Sequence, residues 1–211
     1  GVLSGWDDPR APTLMSLRRR GIEGAAIVET MVELGMSTSN VDLAMSRLYA
    51  ANRARVDPSA PRAFLVRDPV QLSVAGLPDQ VAVERHPEDA TMGVRTIGVS
   101  DAVALEPQDV PEEGARVWLK GAGCVRREDD GLVATGDPID VVRSGAVDVV
   151  HWAPAAGRPV RMETPEGPIA GVAPPPLTAV EEDTVVQFER VGFARIDAQE
   201  PTRTVAYFAH R

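Results

Sequence analysis

Residues 63–83 read Ala63-Phe64-Leu65-Val66-Arg67-Asp68-Pro69-Val70-Gln71-Leu72-Ser73-Val74-Ala75-Gly76-Leu77-Pro78-Asp79-Gln80-Val81-Ala82-Val83, and this stretch sets the fold class. Three short runs rich in β-branched side chains, which pack well on a pleated surface, are separated by Pro, Gly and Asp, which break regular structure. The same pattern continues toward the carboxyl end in Val117-Trp118-Leu119, Val147-Asp148-Val149-Val150 and Thr204-Val205-Ala206-Tyr207-Phe208. Strands spaced by roughly 8–12 residues, with no helical repeat among them, predict sandwiches or barrels. Pro107 to Gly114 and Pro174-Pro175-Pro176 are the expected crossings between two β units. Asp129-Asp130-Gly131 reads as a hairpin turn.

Toward the amino end, residues 1–55 read as helical. Residues 13–20 follow Pro12, finish on Arg18-Arg19-Arg20, which suits the negative end of a helix, and stop at Gly21. Residues 23–34 form a second candidate, closed by Gly35. Val41, Ala44, Met45, Leu48 and Tyr49 form an i, i+3, i+4, i+7, i+8 stripe after the capping pair Ser39-Asn40, a third helix. Met31, Met36 and Met45 are read as core packing, the common use of this flexible side chain.

Composition narrows the function classes. A chain of 211 residues with 44 % hydrophobic and 25 % charged residues can fold around a real core, which excludes wholesale disorder. No apolar run reaches the length of a membrane span, no export signal is legible, and the single Cys124 forms no intrachain disulfide, so the expectation is a reducing cytoplasm without a membrane partner. The formal charge of −9 argues against long-range attraction to phosphate. Lys120, however, is the only lysine; every other basic residue is arginine, whose fork binds phosphate and base edges with fixed geometry. Acid-rich, lysine-poor chains are typical of salt-loving organisms, and high-GC coding also favours arginine.

Catalytic constellations are missing. His86, His151 and His210 lie far apart in sequence, and no Cys or His pair has zinc-ligand spacing. Gly121-Ala122-Gly123 lacks a third glycine and a following helix, so it reads as a strand bend rather than a phosphate cradle. No Gly-x-Ser-x-Gly elbow occurs.

Gly5-Trp6-Asp7-Asp8-Pro9-Arg10, continued through Ala11-Pro12-Thr13-Leu14-Met15-Ser16-Leu17-Arg18-Arg19-Arg20-Gly21, resembles a segment of the glutamyl- and glutaminyl-tRNA synthetases that lies just past their catalytic domain. Further landmarks follow in family order: Ala60-Pro61-Arg62-Ala63 with Asp68-Pro69-Val70, His86-Pro87 with Met92-Gly93-x-Arg95, Val149-Val150-His151-Trp152, and Val186-Gln187-Phe188-Glu189-Arg190-Val191-Gly192-Phe193. The ending Val205-Ala206-Tyr207-Phe208-Ala209-His210-Arg211 is similar to the archaeal-type glutamyl enzymes. Asp7 and Asp8 are read as part of an extended lead-in to the first helix.

The resemblance implies a mainly β chain with an N-terminal helical module and two anticodon-binding β-barrels, the second inserted in the first. Residues 1–55 would be the helical tRNA-contacting module, 56–113 with 177–211 the proximal barrel, and 114–176 the distal barrel. It implies the tRNA-recognising, carboxyl-terminal part of a ligase that activates glutamate with ATP and esterifies it to tRNA. The His-Ile-Gly-His and Lys-Met-Ser-Lys-Ser signatures are not in these residues, so no cofactor is expected in this chain; ATP and magnesium belong to the missing catalytic domain, itself an expected partner. The other expected partner is tRNA of the glutamate type, with the glutamine type as an alternative.

The same resemblance assigns the site. Arg62 matches an arginine that meets the anticodon loop, Gln187 and Arg190 a pair that reads the middle anticodon base, and Lys120 a family arginine at the first base. Arg18, Arg19 and Arg20 are placed against phosphates at the inner corner of the tRNA. Asp57 stands where the family has asparagine and, as an acceptor only, cannot repeat every contact. Two other readings stay open: the corresponding part of a glutaminyl enzyme, and a stand-alone RNA-binding β-barrel protein.

Overall fold

A computed structural model of the chain describes residues 3–35 and 44–211. Three helices come first: α1 (Leu14–Arg19), α2 (Gly24–Leu34) and α3 (Met45–Val56). Strands follow as β1 (Arg62–Ala63), β2 (Val66–Arg67), β3 (Val70–Ala75), β4 (Gln80–Glu84), β5 (Val94–Gly98), β6 (Ala102–Leu105), β7 (Arg116–Leu119), β8 (Gly123–Glu128) and β9 (Gly131–Ala134). A single helical turn, α4 (Asp140–Arg143), precedes β10 (Val149–Val150), β11 (Ala153–Pro154), β12 (Arg158–Glu163), β13 (Ile169–Ala173), β14 (Val185–Phe188), β15 (Gly192–Gln199) and β16 (Thr204–His210). The chain is mainly β with N-terminal helices, as its sequence predicts.

The helix boundaries have local causes. Thr13 caps α1, its hydroxyl accepting from the Ser16 N–H at 3.0 Å, and Gly21 leaves the helix end with φ 91°. Gly35, with φ 72°, ends α2. Of the predicted third helix, Ser39, Asn40 and Val41 lie outside the described residues, as does Met36; from Met45 onward the helix is present, burying Leu48, Asn52 and Val56. Two methionines depart from the core reading: Met31 is 55 % exposed and Met45 38 %. The inner face of α2 carries Ala26 and Thr30 instead, small residues that let α2 and α3 approach closely.

The chain divides into two compact units, with strands contributed in alternation. Unit 1 comprises Gly1–Arg62, Arg161–Ile169 and Val180–Arg211; unit 2 comprises Ala63–Val160 and Ala170–Ala179. Within unit 1 the curled sheet runs β1-β14-β15-β16-β12, and Ile22, Ala26, Leu48, Val56 and Ala60 pack with Phe193 and Ala209. A Cβ at Gly192 would lie 2.5 Å from the His210 carbonyl oxygen, so only glycine lets β15 and β16 meet there.

Unit 2 has a curled sheet ordered β10-β7-β8-β9-β3-β6-β11 beside the hairpin β4-β5. Two of its pairings, β3 with β9 and β7 with β10, are parallel and bring together segments distant in sequence. Phe64, Ile97, Leu105, Leu119 and Trp152 fill its core. Glu128 pairs with Gly131 across the two-residue turn Asp129-Asp130, as the sequence predicts. Pro107 to Gly114 lies between β6 and β7, whereas the Pro174-Pro175-Pro176 run enters the short turn Pro175–Ala179, where the chain leaves unit 2.

Candidate nucleic-acid interface

The opening Gly5-Trp6-Asp7-Asp8-Pro9-Arg10 segment is organised by Asp8, which is 2 % exposed. Its carboxylate accepts from the Ser4 N–H at 2.9 Å, the Arg10 N–H at 3.0 Å and the Arg10 Nε–H at 2.8 Å. The Arg10 hydrogen bond is the main reason its pKa sits far below the usual carboxylate range. Asp7 pairs instead with Arg19, at 2.7 Å. Both acids therefore hold the lead-in to α1, which is folded into turns rather than extended as expected, with the Asp8 N–H bonded to the Gly5 carbonyl and the Ala11 N–H to the Asp8 carbonyl.

The three arginines at the end of α1 take different roles. Arg18 is exposed. Arg19 bonds Asp197 at 2.9 Å as well as Asp7, and its guanidinium lies 4.2 Å from the centre of the Tyr207 ring. Burial works against the Asp197 carboxylate, but Arg19 and Arg195 outweigh it and hold its pKa below the usual range. Arg20 is 5 % exposed and donates to the carbonyls of Phe208 at 2.8 Å and Ala209 at 2.6 Å and to the Tyr49 hydroxyl at 3.0 Å. Arg18, Arg19, Arg195, Asp7 and Asp197 line one open cleft of unit 1.

Unit 1 brings three of the predicted contact residues to one corner. The Gln187 N–H donates to the Pro61 carbonyl at 3.0 Å, which sets Gln187 beside Arg62. Along β14, Val186 and Phe188 point into the core while Gln187 faces the other way, half-buried. Gln187 pairs with Phe193 and Phe188 with Gly192, so Arg190 lies in the tight β14–β15 turn, exposed and with φ 66°. A left-handed arginine is strained, as local strain often is at functional sites. Arg62 is held back: its guanidinium meets Asp57 at 2.7 Å, and its side chain is only 10 % exposed.

Lys120 belongs to unit 2, in the turn between β7 and β8. Its backbone is fixed from both sides: its N–H donates to the Val150 carbonyl at 3.0 Å, and its carbonyl accepts from Trp152 Nε1 at 3.0 Å. The ammonium lies 5.8 Å from the centre of the Phe64 ring, over which Arg95 sits at 4.4 Å and against which His151 stacks at 4.7 Å. Gly121 has φ 80°, and a Cβ there would lie 2.6 Å from Val83 Cγ2. Gly121-Ala122-Gly123 is thus a strand turn, as predicted. Motif residues far apart in sequence, Arg95, Lys120, His151 and Trp152, converge around Phe64; strand periodicity marks Phe64 only as core and gives no sign of this cluster.

Residues 60–143 match the family described as tRNA synthetases class I (E and Q), anti-codon binding domain. The whole chain is 58 % identical over 211 residues to a glutamate–tRNA ligase of Natronomonas pharaonis, covering 37 % of that protein. It is 50 % identical over 219 residues to that of Haloarcula marismortui and 40 % identical over 217 residues to that of Methanosarcina acetivorans, covering 38 % of each and again all of this chain.

The chain matches the anticodon-binding part of archaeal glutamate–tRNA ligases.

It spans little more than a third of the length of those relatives. Each of these relatives is named a glutamate–tRNA ligase. The anticodon-binding domain match includes Arg62 and Lys120, whereas Gln187 and Arg190 lie beyond it, in the region where similarity to whole ligases continues. Arg18 lies ahead of it, on α1. Among the described residues no group of three His, Cys, Asp or Glu side chains could hold a metal ion, and Gly121-Ala122-Gly123 is no phosphate cradle. The described residues form no site that fits ATP or magnesium.

Proposed function

We propose that this chain reads and positions tRNA of the glutamate type for a glutamate–tRNA ligase, and that glutamate activation with ATP and magnesium belongs to a part of the enzyme outside these residues. The observation that carries the reading is the β14–β15 turn, where Arg190, exposed at φ 66°, stands three residues from the half-buried Gln187. Unstacked anticodon bases offer their edges to such groups. The Gln187 amide supplies a donor and an acceptor, and Arg190 a charged fork. Arg62 borders the same strand, and Lys120 supplies a point charge for the first anticodon base.

On this reading residues 1–55 form the tRNA-contacting helical module, 56–113 with 177–211 the proximal barrel, and 114–176 the distal barrel. Arg18 is the exposed arginine for an inner-corner phosphate; Arg19 and Arg20 contribute by fixing the end of α1 as well as by charge. The site of action is the cytoplasm, and no helix among the described residues is long and apolar enough to cross a membrane.

The test is equilibrium binding of the chain to glutamate tRNA and to transcripts altered at each anticodon base. Gln187→Ala and Arg190→Gly are each expected to weaken cognate binding by about 1–3 kcal/mol and to erase the preference at the middle base. Arg190→Gly keeps the turn, because glycine adopts the left-handed conformation at no steric cost. Equal binding of all transcripts by wild type and both variants removes the reading. Tighter binding of glutamine tRNA assigns the partner to the glutamine type.

A further inference from the structure

Asp57 is where α3 ends and Arg62 begins to matter. As the C-cap residue of α3, with φ −57° and ψ −42°, it places a carboxylate at the negative end of the helix dipole. That position disfavours an acid, so helix stability does not account for it. Arg53, one turn earlier, approaches only to 4.0 Å. The close partner is Arg62, whose Nη2 lies 2.7 Å from Asp57 Oδ1. Arg62 Nη1 also donates to the backbone carbonyls of Asp57, at 3.4 Å, and Ala60, at 3.3 Å. With side chains 10 % and 32 % exposed, respectively, Arg62 is the better shielded and Asp57 lies at the mouth of the pair.

We propose that Asp57 is a specificity-determining residue that turns Arg62 away from phosphates and toward base edges. A phosphate approaching this guanidinium also meets the Asp57 carboxylate at short range and is repelled. An uncharged base edge carries no such penalty. Asp57 also anchors the fork, lowering the entropy lost when a base is bound. Asp57 thus lowers affinity for RNA in general while widening the gap between a correct and an incorrect loop, the use of a repulsive element in specificity. This inference rests on the reading that the Arg62, Gln187 and Arg190 corner binds the anticodon.

The test uses the chain with two RNA probes, the anticodon stem-loop of glutamate tRNA and a stem-loop of equal length with a scrambled loop, over a salt series. Asp57→Asn is expected to tighten both, the scrambled loop more, so that discrimination falls about fivefold, the size of one exposed charge interaction. The slope of log affinity against log salt steepens by about 0.7, the signature of one added phosphate contact on a single strand. In an Arg62→Ala background Asp57→Asn changes neither quantity. Unchanged discrimination, or an equal gain without Arg62, overturns the proposal. If Arg62→Ala alone leaves cognate binding at the wild-type level, the anticodon reading of Arg62 fails instead, a result distinguishable from either. Melting curves of Asp57→Asn matching wild type confirm that the helix end is intact.

Discussion

His210 shows how a single residue links the helical module to the sheet of unit 1. The Asn52 amide is oriented by the Glu23 N–H, which donates to its Oδ1 at 2.8 Å, so its Nδ2 faces His210 Nε2 at 2.9 Å. Nε2 must therefore accept, and Nδ1–H donates to the Arg211 carbonyl at 3.2 Å. The ring packs between Tyr49 and Phe193, with centroids at 5.5 and 5.2 Å. Burial pushes its pKa down, the Arg211 carbonyl opposes this, and Arg20 and Arg53 lower it further. A histidine kept neutral in this way contributes its full stability above the unfolded value of about 6.5 and loses it as the pH falls from there toward the lower folded value. Unfolding free energy is expected to drop below pH 6.5 by up to about 1.4 kcal/mol per pH unit from this one proton. Melting curves from pH 8 to 5, beside the NMR titration of the ring, check it; a folded pKa at or above 6.5 contradicts the assignment. None of this was legible in the sequence, where His210 was one of three scattered histidines, because its neutrality depends on Asn52 and Glu23, brought to it by chain closure.

At the scale of elements, the strands were the most legible part, because alternation along a strand follows directly from the pleat. Val185-Val186-Gln187-Phe188 declares its two faces, and Gln187 stands out as the polar residue on the outer one. The helices were legible in position but only in part in facing. The i, i+3, i+4 rule groups Met45 with Leu48 and Tyr49; Leu48 is buried, Tyr49 packs beside it and Asn52 and Val56 continue the same face, whereas Met45, in the first turn, is exposed. Periodicity fixes which residues share a face only to within about a quarter turn, and a buried Asn does not score as apolar. The distinction has a measurable consequence. Leu48, 1 % exposed, packs with Ile22 and Phe193, and Leu48→Ala is expected to cost about 2–5 kcal/mol. Met31→Ala, at an exposed position of α2 with good helix propensity either way, is expected to change stability by less than about 0.5 kcal/mol. Denaturant unfolding of both variants checks this; a comparable loss for Met31→Ala would restore its core reading.

For the molecule as a whole, the acidic balance and the nucleic-acid reading have to be reconciled. A net charge of −9 gives no field that draws in RNA from a distance. Several arginines are committed within the fold: Arg19 to Asp7 and Asp197, Arg20 to three oxygens of unit 1, Arg195 to Asp183 and Asp197, and Arg67 in unit 2 to Glu106 at 2.7 Å. On the proposed reading, RNA meets a short set of placed cations, Arg18, Lys120 and Arg190, together with Gln187 as a neutral reader. Such a surface recognises by contact rather than by attraction, and salt separates the two cases. With about two to four phosphates neutralised, log affinity should fall against log salt with a slope of roughly −1.4 to −2.8 for single-stranded contacts. A field-driven binder neutralising about eight or more phosphates would give a slope steeper than roughly −5.6. Binding of glutamate tRNA is accordingly expected to persist at salt concentrations near 1 M, where the Debye length is about 3 Å and repulsion from the acidic surface is also screened. A slope in the steep range would mean that arginines now held by Asp7, Asp183 and Asp197 exchange partners on binding and count among the phosphate contacts.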